Sequence, residues 1–408
     1  MQILKVVADG ISLFKNGIHL NFCTQQRVLD DDKEELNHLF SNVYLNPTNC
    51  FIGINASGKT SILKFFLLVL EILNSERIND APNKEIIVLA KTIDLQVYFY
   101  LEDKKEVCLL SSVITCVKTL SGIAKYIFSS EKLFSKKVNT LLSRKNLFEF
   151  SDKNLEIERK EGNIIFNHEK SSGELILPRD LSVVMIKTRN EEFDNEDKFE
   201  PTITFSEMLE FTNINILEEN FITHLPSNIL KCIVSFLDPT IEIFEIIEKN
   251  RQKTINLKFK DSAQMVINDI RALNKVLSSG TIKGLNIFIS AINILKNGGY
   301  FIIDEIENHF NNEIVKTFIR FFKENTTNKN GANLLFSTHN PELLNEFNRN
   351  DSIFITQNIE GLRVTNFSEL LKRNDIKKSE VYMSSFVGRT APTYDAYINL
   401  KSEIKSFI

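Results

Sequence analysis

The sequence predicts an α/β fold: a mixed sheet with flanking helices, an antiparallel β subdomain, and a helical insertion between two lobes. Three observations carry this. Short apolar runs at residues 48–52, 300–303 and 333–336 each stop abruptly at small polar or charged residues, as strands buried on both faces of a parallel sheet do. The segment "SILKFFLLVLEIL", residues 61–73, is apolar on nearly every side, which fits a helix lying beneath a sheet. Alternation across residues 84–113, with the turn "EDKK" in the middle, reads as two antiparallel strands.

The bulk numbers set the frame. With 408 residues, 43% hydrophobic and 25% charged, the chain can bury one large core or two medium ones. "MQILKVVADG" lacks the layout of a secretory leader, and there is no uncharged apolar run of membrane-spanning length, so a soluble, cytoplasmic protein is expected. Cys23, Cys50, Cys108, Cys116 and Cys232 form no C-x-x-C pair, which argues against a disulfide framework or a zinc site and for buried free thiols. A net charge of −4 exerts no global pull on nucleic acid, so such binding would need a local patch.

The first apolar run leads into "GINASGKTS", a G-x-x-x-x-G-K-T phosphate loop between a strand and a helix. The Gly53 to Ser61 backbone, through Asn55, Ala56, Ser57 and Gly58, would curl around phosphates. Lys59 would reach the β and γ oxygens, and the Thr60 hydroxyl would ligate magnesium. The second run, "YFII", stops at Asp304 and Glu305. Asp304 would hold the magnesium, and Glu305 would orient or deprotonate an attacking water. The third run ends in Ser337, Thr338 and His339, with Pro341 opening the next helix; at the same strand end, His339 could donate to a γ-phosphate.

Between the first and second runs, "LSSGTIKGLNIFISA" places Ser278, Ser279 and Gly280 ahead of a helix whose face is Leu285, Phe288, Ile289, Ile292 and Leu295. A serine there can be an ordinary N-cap. Equally, a sparsely covered helix start can bind an anion.

Taken together, "GINASGKT", "LSSGT", "YFIIDE" and "FSTHN" resemble the ABC-type ATPase heads of the SMC, RecF and OLD nuclease superfamily. The resemblance implies an ATPase that uses ATP and Mg2+ and forms a homodimer or higher homo-oligomer, in which Ser278, Ser279 and Gly280 of one subunit contact the γ-phosphate held by another. It also implies an N-terminal hairpin in "VADGISLFKNGIHLNF" and an insertion between lobes, matching the long gap from Lys59 to Leu277. The lobes fall at residues 1–116, with the phosphate loop, and 253–408, with the signature, the Asp304–Glu305 strand and the histidine loop; the insertion, 117–252, is expected to be mainly helical. Two departures stand out. Gln96 falls inside an alternating strand rather than a signalling loop, and Asn311 stands where many relatives carry histidine.

Residues 118–145 carry Lys118, Lys125, Lys132, Lys136, Lys137, Arg144 and Lys145 against Glu131; the run reads either as a phosphate-tracking patch for nucleic acid or as a solvated helix face. The acidic "NEEFDNEDKFE" reads as an exposed loop, residues 205–250 as helical with a break at Pro226, and "TIEIFEII" and "TINLKFKD" as paired strands. Residues 340–408 are too few for an added nuclease domain. Within them "SSFVGRTAPTYDAY" faintly resembles a Gly-Arg-x-Gly-Ala-x-Pro pattern of stand-alone phage-defence ATPases such as AbiL, PARIS and Septu, with Thr390 replacing one glycine; it can equally be a turn around Pro392.

The resemblance therefore implies an ATP-driven switch, without membrane attachment, that controls a separate nuclease or toxin effector in anti-phage defence. The alternative is a RecF- or SMC-like DNA clamp gated by ATP. A P-loop kinase or GTPase would need neither the L-S-S-G segment nor the histidine loop.

Overall fold

The computed structural model describes residues 1–118, 122, 124–139, 142–160, 162–168, 174–188, 206–209, 225–249, 252–269, 272–308, 310, 312–384 and 394–407. Its central sheet runs in the order Ser206–Leu209, Tyr300–Ile303, Asn333–Thr338, Thr48–Ile52, Ile353–Asn358 and Leu362–Asn366. The first five strands are parallel, and the last turns back antiparallel. Every residue of Thr48–Ile52, Tyr300–Ile303 and Asn333–Thr338 is buried, as the unbroken apolar runs require.

Register decides what these strands deliver. Ile303 pairs with Phe336, and Phe336 pairs with Cys50. Asp304, Ser337 to His339, and Gly53 therefore emerge together at the carboxyl end of three adjacent strands, where open α/β sheets bind ligands.

Alternate side chains send the sheet into two cores. On one face Phe51, Tyr300, Ile302, Leu335 and Phe354 pack with the helix Lys59–Leu73 and an eight-stranded antiparallel sheet. That helix lies between the two sheets, with Phe66 against the rings of Phe22 and Tyr300 at 5.3 and 5.4 Å. On the other face Phe301, Ile303, Leu334 and Phe336 meet the helices Ser279–Asn297 and Asn312–Lys323. Gly284 lets a further helix, Ser227–Leu237, approach so closely that a Cβ there would fall 2.6 Å from Leu237.

The N-terminal hairpin forms as expected, Gln2–Asp9 with Ile18–Asn21, as do the paired strands Ile241–Lys249 and Gln252–Phe259. The strand expected from Lys84 onward begins only at Thr92, after a 3-10 turn at Lys84–Ile87. Gln96 lies within Thr92–Leu101.

The mainly helical insertion is a misreading. Ala124–Lys137, Leu155–Arg159, Ile164–Asn167 and Glu174–Ile176 are strands that extend the antiparallel sheet. Ser206–Leu209 joins the central sheet. Among the described residues of 117–252, only Val184–Thr188 and Ser227–Leu237 are α-helical, with one 3-10 turn at Asp152–Asn154. The physical cause is a β-bulge: the register against Glu106–Lys118 shifts between Val113 and Ile114. Buried residues therefore fall at Tyr126 and Phe128, then at Glu131 and Leu133, and the phase slip hides the two-residue period. The acidic stretch 190–200, Asn311, and the Thr390 and Pro392 pattern lie outside the described residues.

Of the cysteines, Cys23, Cys50 and Cys108 are buried, Cys116 is half-buried and Cys232 is exposed, all as free thiols. Among the described residues, no helix is long and apolar enough to cross a membrane.

Candidate active site

The phosphate loop is shaped by its own chain. A Cβ on Gly53 would lie 2.3 Å from both Ser57 Oγ and Thr356 Oγ1, so only hydrogen fits. Ala56 (φ 59°) and Gly58 (φ 95°) adopt left-handed conformations that turn the loop into the helix, and a Cβ on Gly58 would come within 2.7 Å of Leu362. The Ser57 and Thr356 hydroxyls share a 2.7 Å hydrogen bond, and Asn358 Nδ2 donates to the Ala56 carbonyl at 3.3 Å. The helix Lys59–Leu73 starts with no side-chain cap and no acid in its first turn. Its first N–H groups and positive dipole end are thus offered to an anion. They open on a cavity of about 420 Å³ lined by residues 55–61, Glu305, His339 and Leu362.

Lys59 links the loop to the neighbouring strands. Its Nζ donates to the carbonyls of Gly53 (3.0 Å) and Ile54 (3.2 Å) and meets His339 Nδ1 at 3.1 Å. An ammonium has only donors, so Nδ1 must be the bare nitrogen and Nε2 the protonated one. Nε2 then donates to Glu305 Oε1 at 2.9 Å. Burial pushes the Lys59 amine below its ordinary range, opposed by Glu305, Asp304 and Glu307. The hydrogen bond from His339 holds the Glu305 carboxyl below its usual range against the effect of burial.

Asp304 is held from two sides. Thr60 Oγ1 donates to Oδ2 at 2.6 Å, and the Ser337 hydroxyl donates to Oδ1. Ser337 Oγ also accepts the Glu305 N–H at 2.7 Å. That bond supports the left-handed backbone of Glu305 (φ 50°), a conformation that costs a non-glycine residue about 1 kcal/mol or more. A hydroxyl beside a carboxylate is a hard-oxygen set that fits Mg2+, whose other positions would go to phosphate oxygens and water.

The signature segment is built differently. Ser278 caps the helix Ser279–Asn297, its Oγ accepting the Thr281 N–H at 3.1 Å. The N-cap reading of this serine therefore holds. Leu277 and Thr281 are buried anchors, whereas Ser278, Ser279 and Gly280 are exposed. Among the described residues outside its own helix backbone, a Cβ on Gly280 would meet only Ser278 Oγ, at 3.8 Å. These three residues do not line the cavity of their own subunit.

The structure thus brings together Gly53, Asn55 to Ser61, Asp304, Glu305 and His339, and leaves Ser278 to Gly280 apart. Ser337 stood next to a noted histidine without a role of its own. Leu362 and Thr356 reach the loop from a hairpin some 300 residues downstream in sequence, and no local pattern marks them.

The basic run does not form one patch. Lys132 pairs with Glu158 at 3.5 Å. Lys136 donates to the carbonyls of Asn146 and Glu149 and lies over the Phe150 ring at 4.4 Å. Arg144 donates to the carbonyls of Thr24 and Gln26. Lys125 and Lys137 sit near opposite ends of one strand, roughly 40 Å apart at the rise of an extended chain.

Residues 227–345, which span the signature helix, Asp304, Glu305 and His339, match a family model described as "AAA domain, putative AbiEii toxin, Type IV TA system". No curated protein matches the chain. Among solved structures, the chain is similar to an SMC head domain from Thermotoga maritima (10% identity, 90% of this chain and 99% of that one, TM-score 0.40). It is also similar to an SMC head bound to the C-terminal winged-helix domain of ScpA (13% identity, 91% and 100%, TM-score 0.44), and to the recombination mediator RecF with ATP (9% identity, 89% and 97%, TM-score 0.37). Strand order and the meeting of the three loops at one sheet end define the fold independently of these alignments. It is an α/β fold whose mostly parallel sheet carries a phosphate loop between the strand Thr48–Ile52 and the helix Lys59–Leu73.

Proposed function

We propose that this chain is an ATP-hydrolysing switch that dimerises around ATP and controls a separate effector. Residues 55–61 take the triphosphate on the helix N-terminus, and Lys59 supplies the cation for its β and γ oxygens. Thr60 and Asp304 would hold Mg2+, which when bound neutralises phosphate charge. Glu305 orients and deprotonates the attacking water. His339 keeps its proton on Nε2, where Glu305 accepts it in the structure; with ATP bound, that N–H would be shared with the γ-phosphate.

The observation that carries the dimer is Gly280. Among the described residues nothing requires a glycine there, since the space around it is open and its backbone is not left-handed. A bare backbone next to two exposed serines at a helix start suits a phosphate brought by a neighbouring copy. Closing such a pair and reopening it on hydrolysis needs a bias of only a few kcal/mol between two states.

The setting, a defence system with a nuclease or toxin as a separate chain, is supported by the motif resemblance and by the toxin–antitoxin wording attached to the family matched over 227–345. The rival DNA clamp loses weight because Lys132, Lys136 and Arg144 are engaged by their own chain.

The test is complementation between two inactive subunits. Lys59→Ala removes the phosphate contact, and Gly280→Asp blocks the signature, so each homodimer should be inactive. In the mixed dimer one pocket joins an intact phosphate loop to an intact signature, and ATPase activity should reappear. A mixture as inactive as its parts would overturn the shared pocket.

A further inference from the structure

The roles given to Glu305 and His339 leave open what holds the pair in register. The answer lies in the 3-10 turn Ile306–Asn308, anchored by the fully buried Ile306. Glu307 Oε1 accepts the backbone N–H of His339. Its other oxygen, Oε2, is buried with no partner among the described residues. Asn308 serves the other half of the pair: its Nδ2 donates to Glu305 Oε2 at 2.5 Å, and its backbone N–H donates to the Glu305 carbonyl at 2.9 Å.

Stability alone gives no reason for a carboxylate at position 307, because a buried oxygen without a donor is costly. The oxygen that is used has one partner, the main chain of the histidine loop. That loop leaves the strand Asn333–Thr338 and carries an imidazole that must meet Lys59 at 3.1 Å and Glu305 at 2.9 Å at once. Two bonds from opposite ring nitrogens tolerate little rotation of the ring, so fixing the backbone at His339 fixes both.

We propose that Glu307 is a positioning residue for hydrolysis: by accepting the His339 N–H it holds the imidazole between the phosphate-loop lysine and the base. The inference rests on the functional reading above. It assigns Glu307 no contact with nucleotide and no proton transfer.

The experiment compares full-length Glu307→Ala and Glu307→Gln by steady-state ATP hydrolysis with Mg2+. It is paired with 15N spectra of histidine-labelled protein without nucleotide, in which His339→Ala assigns the imidazole among the six histidines. Glu307→Ala should lower kcat by about tenfold or more, with KM for ATP within about threefold, since misplaced groups cost rate more than binding. The His339 ring should also lose its single Nε2-protonated pattern. Glu307→Gln, whose amide oxygen can accept the same N–H, should recover kcat to within about threefold and restore the ring signals. Should Glu307→Ala fail to fold, Glu307→Leu fills the volume without an acceptor and carries the same expectations.

Unchanged kcat and unchanged ring signals in the variant lacking an acceptor would overturn the proposal, and so would a Gln variant as impaired as Ala. If Glu305→Gln hydrolyses ATP at the wild-type rate, the functional reading fails instead, and the spectra still decide whether Glu307 holds the His339 ring.

Discussion

Two glycines show how differently the phosphate loop and the helix start after Leu277 are built. Gly53 is enclosed: a methyl group there would strike Ser57, Thr356 and the Thr356 carbonyl. Gly280 is open: beyond its own helix backbone, the described residues place only Ser278 Oγ within 4 Å of where its Cβ would sit. Around Gly53 the chain completes its own geometry, from the Lys59–His339–Glu305 series to the Thr60–Asp304–Ser337 cluster. Around Gly280 the chain supplies an N-cap and stops. A glycine demanded by close contacts is fixed by its own subunit, and the proposed function gives the open one its use in a second copy.

The largest effect expected on this contrast is on the phosphate-loop side. Glu305→Gln removes the base while keeping size and one of the two bonds that the carboxylate accepts from His339 and Asn308, so turnover should fall by about 10²-fold or more. ATP should stay bound, and the closed dimer should accumulate in size-exclusion chromatography with light scattering. Normal turnover in that variant would remove Glu305 from the chemistry.

A smaller effect separates the glycines themselves. Gly53→Ala forces overlap and should cost about 1–3 kcal/mol of stability, visible as a lowered Tm and weakened nucleotide binding. Gly280→Ala, in the first turn of an exposed helix, should leave Tm unchanged or raise it, because alanine is the better helix former by up to about 1 kcal/mol. Its ATP-dependent dimer should nevertheless weaken. A destabilised Gly280→Ala would mean that this glycine also serves its own subunit, and the contrast would dissolve.

The smallest effect concerns pH. Burial lowers the Lys59 amine below the ordinary lysine range, so its charge is lost earlier as pH rises. Affinity for ATP should accordingly begin to decline at lower pH than the one at which exposed lysines titrate. Calorimetric titrations at several pH values check this, and an affinity that stays flat until ordinary lysines deprotonate contradicts it.

Much of the candidate site could be read from local patterns because its chemistry is local. A phosphate loop needs glycine at fixed offsets from lysine, and a buried strand that stops at two carboxylates announces itself in a dozen residues. Ser278 was legible as a helix cap for the same reason. Glu307 and Asn308 were not, since an acid and an amide after Asp304 and Glu305 look like any polar turn until His339 is brought against them. The strands after residue 117 were hidden by their own bulge, which breaks the alternation between Phe128 and Glu131. Lysines on a solvated sheet face then look like those on a helix.

Local pattern therefore specified the elements whose meaning lies in near neighbours: the three buried strands, the phosphate loop, the capped helix after Leu277, and the residue types placed at each strand end. Tertiary structure alone decided which of those ends meet. The register of Ile303 on Phe336 and of Phe336 on Cys50 is set by cores packing on both faces of the sheet, and a slip of one residue would turn each strand's side chains to the opposite face. Residues 280 positions apart, such as Lys59 and His339, become partners only through that packing.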